Sequence, residues 1–330
     1  MDEEGTRKNY IGRFDFWPES LLRPYTRAVD IALALVAALL FALGTVLQQR
    51  AGLEAPAGGS SSGLLIRMAQ RPVWLVGIAA DSLGFVAQAA ALGFGRLAVV
   101  QPLLVSSVVF ALPLGARFTR QKVTKVDIGA AVLVVAALVA FLTVADPSGG
   151  RADAPLGGWL VAIGACLVVC VPLVLAGRSG SPPRRAAMLG IATGVLFALS
   201  AALTKAVVDE LDDGIFTIFT TWHLYGLAVI GYASMTLNQM ALDTGALAPA
   251  VATSMAFDPI ASVVLGVTLL QEKLNVGPLE ILATVFALVA AGVGMAILSR
   301  QEAGQEGSAA GTQAGTGSAD KKTETAPGPI

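Results

Sequence analysis

The chain has 330 residues, of which 55% are hydrophobic and only 14% are charged, and its mean hydropathy is +0.71. Soluble domains carry about 25% charged residues, so this composition excludes an ordinary water-soluble globule. The 22 basic and 23 acidic side chains nearly cancel. No basic block is interleaved with aromatic residues, so the electrostatic pattern of a nucleic-acid-binding protein is missing.

Long uncharged stretches predict where the chain crosses a lipid bilayer. Three apolar stretches contain one ionisable side chain each, namely Asp81, His223 and Asp258. Stretches of about 20 residues match a helix across the roughly 30 Å hydrocarbon core, whereas barrel strands would alternate over about 10 residues. The sequence therefore predicts an all-α polytopic membrane protein with about nine transmembrane helices. In chain order they cover residues 31–49, 73–95, 97–116, 128–145, 154–177, 186–204, 215–242, 244–271 and 281–299.

The two ends of the chain are polar. Residues 1–27 form a predicted polar tail, and no small-residue cleavage site follows the first apolar run, so we expect that run to be retained. Residues 300–330 are rich in Gly, Ala, Ser, Thr and Glu and predict a disordered tail. The excess of basic residues on one side favours a cytoplasmic C-terminus. Abundant Ala and Gly with few Lys are typical of a high-GC bacterium, which predicts a multi-pass protein of the bacterial cytoplasmic membrane.

Two halves of the chain show weak internal similarity. The tetrapeptide beginning at Leu40 recurs at Leu196, and a constant shift aligns Gln88 with Gln239. The same shift pairs Leu114-Gly115 with Leu265-Gly266 and Lys122 with Lys273. Chance similarity between Ala- and Leu-rich helices is the alternative. A true repeat would make residues 28–145 the first repeat (helices 1–4), 154–177 a linking helix 5, and 186–299 the second repeat (helices 6–9). An offset of five helices inverts the second repeat in the membrane.

Four stretches carry a family resemblance. They are Gly44–Leu53, which ends in Gln48-Gln49-Arg50-Ala51-Gly52-Leu53, Arg71–Gly77, Ala89–Leu103, which ends in Val100-Gln101-Pro102-Leu103, and Leu237-Asn238-Gln239-Met240-Ala241-Leu242-Asp243. With them the chain resembles the drug/metabolite transporter (DMT, EamA-like) superfamily, and within it most the NIPA-type magnesium transporters. The acidic residue that usually follows the third helix is Gln121 here, whereas Glu272 keeps that pattern in the second half. The resemblance implies alternating-access transport of Mg²⁺ or another divalent cation, or of a small organic metabolite or drug coupled to protons.

Asp81 and Asp258 are the leading candidates for binding the solute or ion, including a metal cation. Each lies near the middle of its apolar stretch and in a different predicted repeat. A charged carboxylate at the bilayer centre costs at least about 2.5–3.5 kcal/mol, so such residues are usually functional. The alternative is that both carboxylates only hold helices together.

Amide side chains supply further candidate ligands. Gln101 precedes Pro102, and Pro259 follows Asp258, so each proline frees a carbonyl oxygen and predicts either local unwinding or a simple kink. Gln88, Asn238 and Gln239 complete the candidate binding set.

Several other residues receive simpler interpretations. We expect His223 to lie at the membrane interface beside Trp222, with a proton relay as the alternative. Lys205 is expected to extend its amine to the membrane surface. Cys166 and Cys170 are expected to be packing residues. The acidic residues Asp209, Glu210, Asp212 and Asp213 predict a solvated loop, or alternatively a vestibule that attracts cations.

The remaining predictions concern function class and partners. No nucleophile elbow, phosphate loop or metal-binding Cys/His spacing occurs, so we expect neither an enzyme nor a cofactor. The predicted partners are the lipid bilayer and a small solute or cation, without nucleic acid. The competing function from another class is a non-transporting membrane scaffold or assembly partner. The oligomeric state, including a homodimer, is left open.

Overall fold

The structure, a computed structural model, describes residues 19–53, 71–119, 123–274, 277 and 280–298. Nearly all of these residues lie in helices joined by short connections. The helices are α1 (Glu19–Leu53), α2 (Pro72–Phe94), α3 (Leu97–Leu104), α4 (Ser106–Phe118), α5 (Lys125–Val144), α6 (Leu156–Ala176), α7 (Pro182–Glu210), α8 (Trp222–Leu242), α9 (Leu247–Thr268) and α10 (Glu280–Leu298). Two strands, β1 (Ser148–Gly149) and β2 (Glu272–Lys273), pair antiparallel.

Within the part of the chain that the structure describes, eight helical segments are long and apolar enough to cross a membrane. They are Ala28–Ala51 within α1, α2, α3 and α4 together, α5, α6, the segment Pro182–Asp213 that contains α7, α9 and α10. This confirms the prediction of a helical, multi-pass membrane protein. α8 carries more polar side chains and does not belong to this group of eight.

Some predicted boundaries and conformations differ in the structure. α1 begins at Glu19, inside the segment predicted as a polar tail. α9 continues as a helix through Pro259, so the unwinding considered beside Asp258 is not present. A single proline removes only one backbone donor, and a helix accommodates that loss by bending. Residues 1–18, Gln121, Lys122 and the tail predicted at 300–330 lie outside the described residues.

The third predicted span, in contrast, is divided. α3 ends at Leu104 and α4 begins at Ser106, with a turn at Val105 between them. The amide of Val105 donates to the carbonyl of Pro102 at 3.2 Å, and the hydroxyl of Ser106 donates to the carbonyl of Leu103 at 2.7 Å. The missing amide hydrogen of Pro102 thus coincides with the end of a short helix, α3, that carries Gln101.

Small residues bring the helices close together. Gly44 of α1 faces Gly77 of α2, and an added Cβ on Gly44 would lie 3.0 Å from the Gly77 carbonyl. Gly190 of α7 lies against Ala250 of α9 in the same way. Close approach through Gly and Ala is the usual basis of helix packing in membranes, where lipid and helix surfaces are equally apolar.

Four connections meet at one end of the bundle, which we call the β1–β2 end. β1 lies between α5 and α6, and β2 lies between α9 and α10. The amide of Arg151 donates to the carbonyl of Leu270 at 2.6 Å, and Nε of Arg96 donates to the carbonyl of Gly149 at 3.3 Å. The connection between α7 and α8 joins the same end through His223, as described below.

Candidate functional site

Asp81 lies at the interface between α2 and α1. Nε2 of Gln48 donates a hydrogen bond to Oδ2 of Asp81 at 2.5 Å. Gly44 leaves the space that the carboxylate occupies, because a Cβ at this position would overlap Oδ1 of Asp81. A glycine and an amide therefore fix this half-buried carboxylate in a notch on α1.

Asp258 lies on α9, where this helix packs against α7. Its Oδ1 accepts a hydrogen bond from the hydroxyl of Ser262 at 3.2 Å, within α9 itself. Its backbone packs on α7, where a Cβ at Gly194 would lie 2.9 Å from the Asp258 amide nitrogen. Asp81 and Asp258 thus have separate partners, and their joint action stays a prediction. Among the described residues, His, Cys, Asp and Glu form no group of three that holds a metal ion.

The candidate amides differ in their surroundings. Gln101 is 3% exposed, and its Nε2 has no hydrogen-bond partner among the residues that the structure describes. A buried amide group without a partner costs about 1–3 kcal/mol, so this donor is an unsatisfied group within the bundle. Gln88 on α2 and Asn238 on α8 are half-buried, whereas Gln239 is exposed.

The prediction that Lys205 reaches the membrane surface is wrong. The side chain is 1% exposed, and Nζ donates to the carbonyl of Leu92 at 2.8 Å and to the carbonyl of Gly95. These carbonyls belong to the last turn of α2, where a helix has unpaired acceptors and a partial negative charge. They accept hydrogen bonds that the ammonium group would otherwise donate to water.

Glu272 makes the complementary contact at the start of α3. Its two carboxylate oxygens accept hydrogen bonds from the amides of Leu97 at 2.7 Å and Ala98 at 2.9 Å. Burial raises the pKa of Glu272 above its ordinary value, although the charge of Lys205 and the two amides act in the opposite direction. Two charged residues of the second half therefore hold the adjoining ends of α2 and α3.

Sequence reasoning gave Glu272 no role in the site. The available signal was the position of this acidic residue directly after an apolar span. The sequence did not show that the carboxylate reaches back to α3, because that contact spans 175 residues.

A second polar group surrounds His223. Nδ1 of the ring lies 2.6 Å from Oε1 of Glu210, and Nε2 lies 3.3 Å from Oδ1 of Asp153. The Nε2 contact is a close charge contact rather than an aligned hydrogen bond. Oε2 of Glu210 also accepts from the hydroxyl of Thr221 at 2.5 Å. The prediction that Glu210 belongs to a solvated loop is therefore wrong. Asp212 and Asp213, in contrast, are exposed.

Two tryptophans complete this group. Nε1 of Trp159 donates to Oδ1 of Asp153 at 2.7 Å, and the Trp159 and Trp222 rings meet edge to face at 5.5 Å. The centre of the His223 ring lies 4.3 Å from that of Trp222. Burial alone would raise the pKa of Asp153, but its contacts with His223, Trp159 and the Ala154 amide hold it below its ordinary value.

Burial also acts on the imidazole of His223, which lies in the first turn of α8. Burial alone would lower the pKa of His223, but contacts with Asp153 and Glu210 and their negative charges hold it above its ordinary value. The ring is 6% exposed, as expected for a side chain enclosed by aromatic groups. His223 therefore lies beside Trp222 as expected, and the carboxylates of Asp153 and Glu210 also lie close to its ring.

The fold and these polar groups define a multi-pass helical membrane protein with charged side chains buried between its helices. The chain is 32% identical over 272 residues to an uncharacterized protein of Corynebacterium glutamicum, covering 82% of this chain and 94% of the relative. It belongs to the same protein family as this corynebacterial protein. No family model matches the chain. No solved structure is significantly similar to it.

Proposed function

We propose that the protein is a secondary transporter of the DMT type, which moves a small solute by alternating access. The observation that carries the proposal is that each half of the chain has one half-buried carboxylate on an apolar helix, Asp81 in the first half and Asp258 in the second. Transporters built from inverted repeats bind their substrate between the halves near the bilayer midplane. Mg²⁺ or another divalent cation is the proposed solute, because carboxylate and amide oxygens are ligands suited to such ions.

The proposal includes α8 as a ninth span, formed by residues 224–242. Gly190 and Gly194 of α7 lie against Ala250 and Ser254 of α9 in the same order, so α7 and α9 run in the same direction. The helix between them therefore has to return through the bundle. Residues 224–242 carry no charge, and at 1.5 Å per residue their length suits the hydrocarbon core. His223 then lies just outside the spanning part.

The packing of α5 with α10 supports an inverted relation between the halves. A Cβ at Gly294 of α10 would lie 3.0 Å from the carbonyl of Ala130, near the start of α5. Ala287, near the start of α10, shares a core cluster with Phe141 and Ala145 at the end of α5. The last helices of the two halves are therefore antiparallel neighbours, as inverted repeats require.

Reconstituted vesicles test this function directly. Purified protein in proteoliposomes should admit Mg²⁺ to an enclosed indicator dye, and Asp81→Asn and Asp258→Asn should each lose at least nine-tenths of that flux while being produced at the normal level. The matched control is Asp243→Asn, an exposed carboxylate at the end of α8. Flux of an organic solute together with protons, in place of Mg²⁺, would identify the alternative substrate class. Absence of any flux, with a fixed protein partner co-purifying, would identify a scaffold.

A further inference from the structure

His223 is the single histidine of the chain, and both of its ring nitrogens face a carboxylate. A neutral imidazole carries one N–H and offers it in one direction only, whereas an imidazolium offers a proton from both nitrogens. The arrangement with Glu210 on one side and Asp153 on the other is therefore satisfied by the charged ring. A neutral ring would leave one unprotonated nitrogen close to a carboxylate oxygen, with no proton between them.

Each carboxylate is also held by other donors. Asp153 accepts from Trp159 and from the amide of Ala154, and Glu210 accepts from Thr221. These bonds fix both carboxylates in position. The charged groups that face the ring are Asp153 from the segment before α6 and Glu210 from the last turn of α7, while Trp159 and Trp222 cover the ring.

We propose that His223, Asp153 and Glu210 form a proton-binding site that, when loaded, fastens the connection between α5 and α6 to α7 and α8. Binding adds one proton to the imidazole and places one positive charge between the two carboxylates. Release of that proton removes the attraction between His223 and Asp153, which weakens the hold on the segment before α6.

The location of Asp153 gives the site a mechanical consequence. The same connection contains β1, which pairs with β2 after α9, and Arg151, whose amide donates to Leu270. Proton release at His223 therefore loosens a segment that links the two halves at the β1–β2 end. The site goes beyond the proposed transport function, and its existence does not depend on the identity of the solute.

The single histidine makes a direct measurement simple. Full-length protein with a histidine-free affinity tag, labelled with ¹⁵N-histidine and placed in lipid nanodiscs, gives nitrogen signals from one ring only. We expect both ring nitrogens to be protonated at pH 7. Asp153→Asn and Glu210→Gln should each lower the proton affinity about tenfold, since an opposite charge at this distance shifts an ionisation by about one pH unit or more.

The matched control is Asp213→Asn, which removes an exposed carboxylate of the same connection that has no bond to the ring. This variant should leave the titration of His223 unchanged. A neutral ring at pH 7 in the unmodified protein would overturn the proposal, and this measurement requires no variant to fold. Equal titration in the unmodified protein and in both carboxylate variants would overturn it as well.

A second experiment tests the fastening itself. Ala154 is 7% exposed and adjoins Asp153, so Ala154→Cys in a Cys166→Ala, Cys170→Ala background reports the opening of this segment. Reaction with a water-soluble maleimide, normalised to the denatured protein at each pH, should accelerate at least fivefold as His223 loses its proton. With His223→Gln added, the reaction should be fast at every pH. Equal rates with and without His223 would contradict the fastening, whatever the result of the vesicle assay.

Discussion

The carboxylate of Glu272 accepts a hydrogen bond from the amide of Leu97 at 2.7 Å, although 175 residues separate them in the chain. Glu272→Ala would leave two buried amides at the start of α3 without an acceptor, at a cost of about 1–3 kcal/mol. We expect a clear fall in the apparent melting temperature in detergent, and a smaller fall for Glu272→Gln, which keeps one acceptor oxygen. The exposed neighbour variant Lys273→Gln is the control. An unchanged melting temperature in Glu272→Ala would mean that the cap does not stabilise the fold.

Lys205→Met is expected to be among the most damaging single changes. Methionine has a similar length but cannot donate to the carbonyls of Leu92 and Gly95, and it leaves the charge of Glu272 without its neighbour. Removing the ammonium group leaves two buried carbonyl groups without this donor, and an unsatisfied buried polar group costs about 1–3 kcal/mol. Adding Glu272→Gln should restore part of the loss, which a double-mutant cycle of apparent stability measures. Full additivity of the two changes would show that Lys205 and Glu272 act independently.

The two glycines Gly44 and Gly129 offer a matched pair of substitutions. Gly44→Ala places a methyl group where Oδ1 of Asp81 lies, so we expect displacement of the carboxylate and loss of most transport activity. Gly129 of α5 has open space around its Cβ position, so Gly129→Ala should be neutral or stabilise the helix by up to about 1 kcal/mol. Vesicle flux and melting temperature measured in both variants separate the local overlap from the general effect of alanine. Normal flux in Gly44→Ala would exclude the notch as part of the site.

The His223 group predicts a defined pH dependence of stability. The pKa of His223 lies above its ordinary value of 6.5, so its contribution is complete below pH 6.5 and is lost as pH rises through the higher folded value. The pKa of Asp153 lies below its ordinary value of 3.8, so its contribution is present above pH 3.8 and is lost on further acidification. The melting temperature of His223→Gln should therefore fall furthest below that of the unmodified protein between these values. A constant difference at every pH would contradict this assignment.

The nine-span arrangement predicts on which side of the membrane each connection between helices lies. Val123 precedes α5 and Lys273 follows α9, and these positions lie at opposite ends of the bundle. Single cysteines at the two positions, in a background without Cys166 and Cys170, should react with an impermeant maleimide from opposite sides of sealed vesicles. Reaction of both from the same side would exclude the inverted repeat and the membrane crossing of α8 together.

The sequence was sufficient to predict the helical membrane class, because long uncharged stretches permit few other structures. The position of Lys205 was not predictable, since the rule that lysines extend to the surface considers only the residue and its own helix. Its actual partners are carbonyls of α2, more than 100 residues earlier. Proline has the same local effect at Pro259, where the helix is continuous, as at Pro102, where the helix ends two residues later. The difference between the two positions therefore depends on the surrounding residues and not on proline alone.

The His223 group was only partly predictable. Its contact with Trp222 follows from adjacency in the sequence, whereas Asp153 comes from the segment before α6 and Glu210 from the last turn of α7. Acidic residues before and after apolar stretches are usually solvated, and nothing local distinguishes Glu210 from Asp212 or Asp213. Only the meeting of connections at the β1–β2 end makes Asp153 and Glu210 partners of one ring.

The two indole rings beside His223 have a practical consequence. Indole emission is quenched by a nearby imidazolium more strongly than by a neutral imidazole, and Trp222 lies 4.3 Å from the histidine ring. Trp159 lies 5.5 Å from the same ring, so both fluorophores sense its charge. If His223 binds and releases a proton as proposed, these indoles are its optical indicator, and we expect the emission of unlabelled protein in vesicles to change with the acidity on the β1–β2 side.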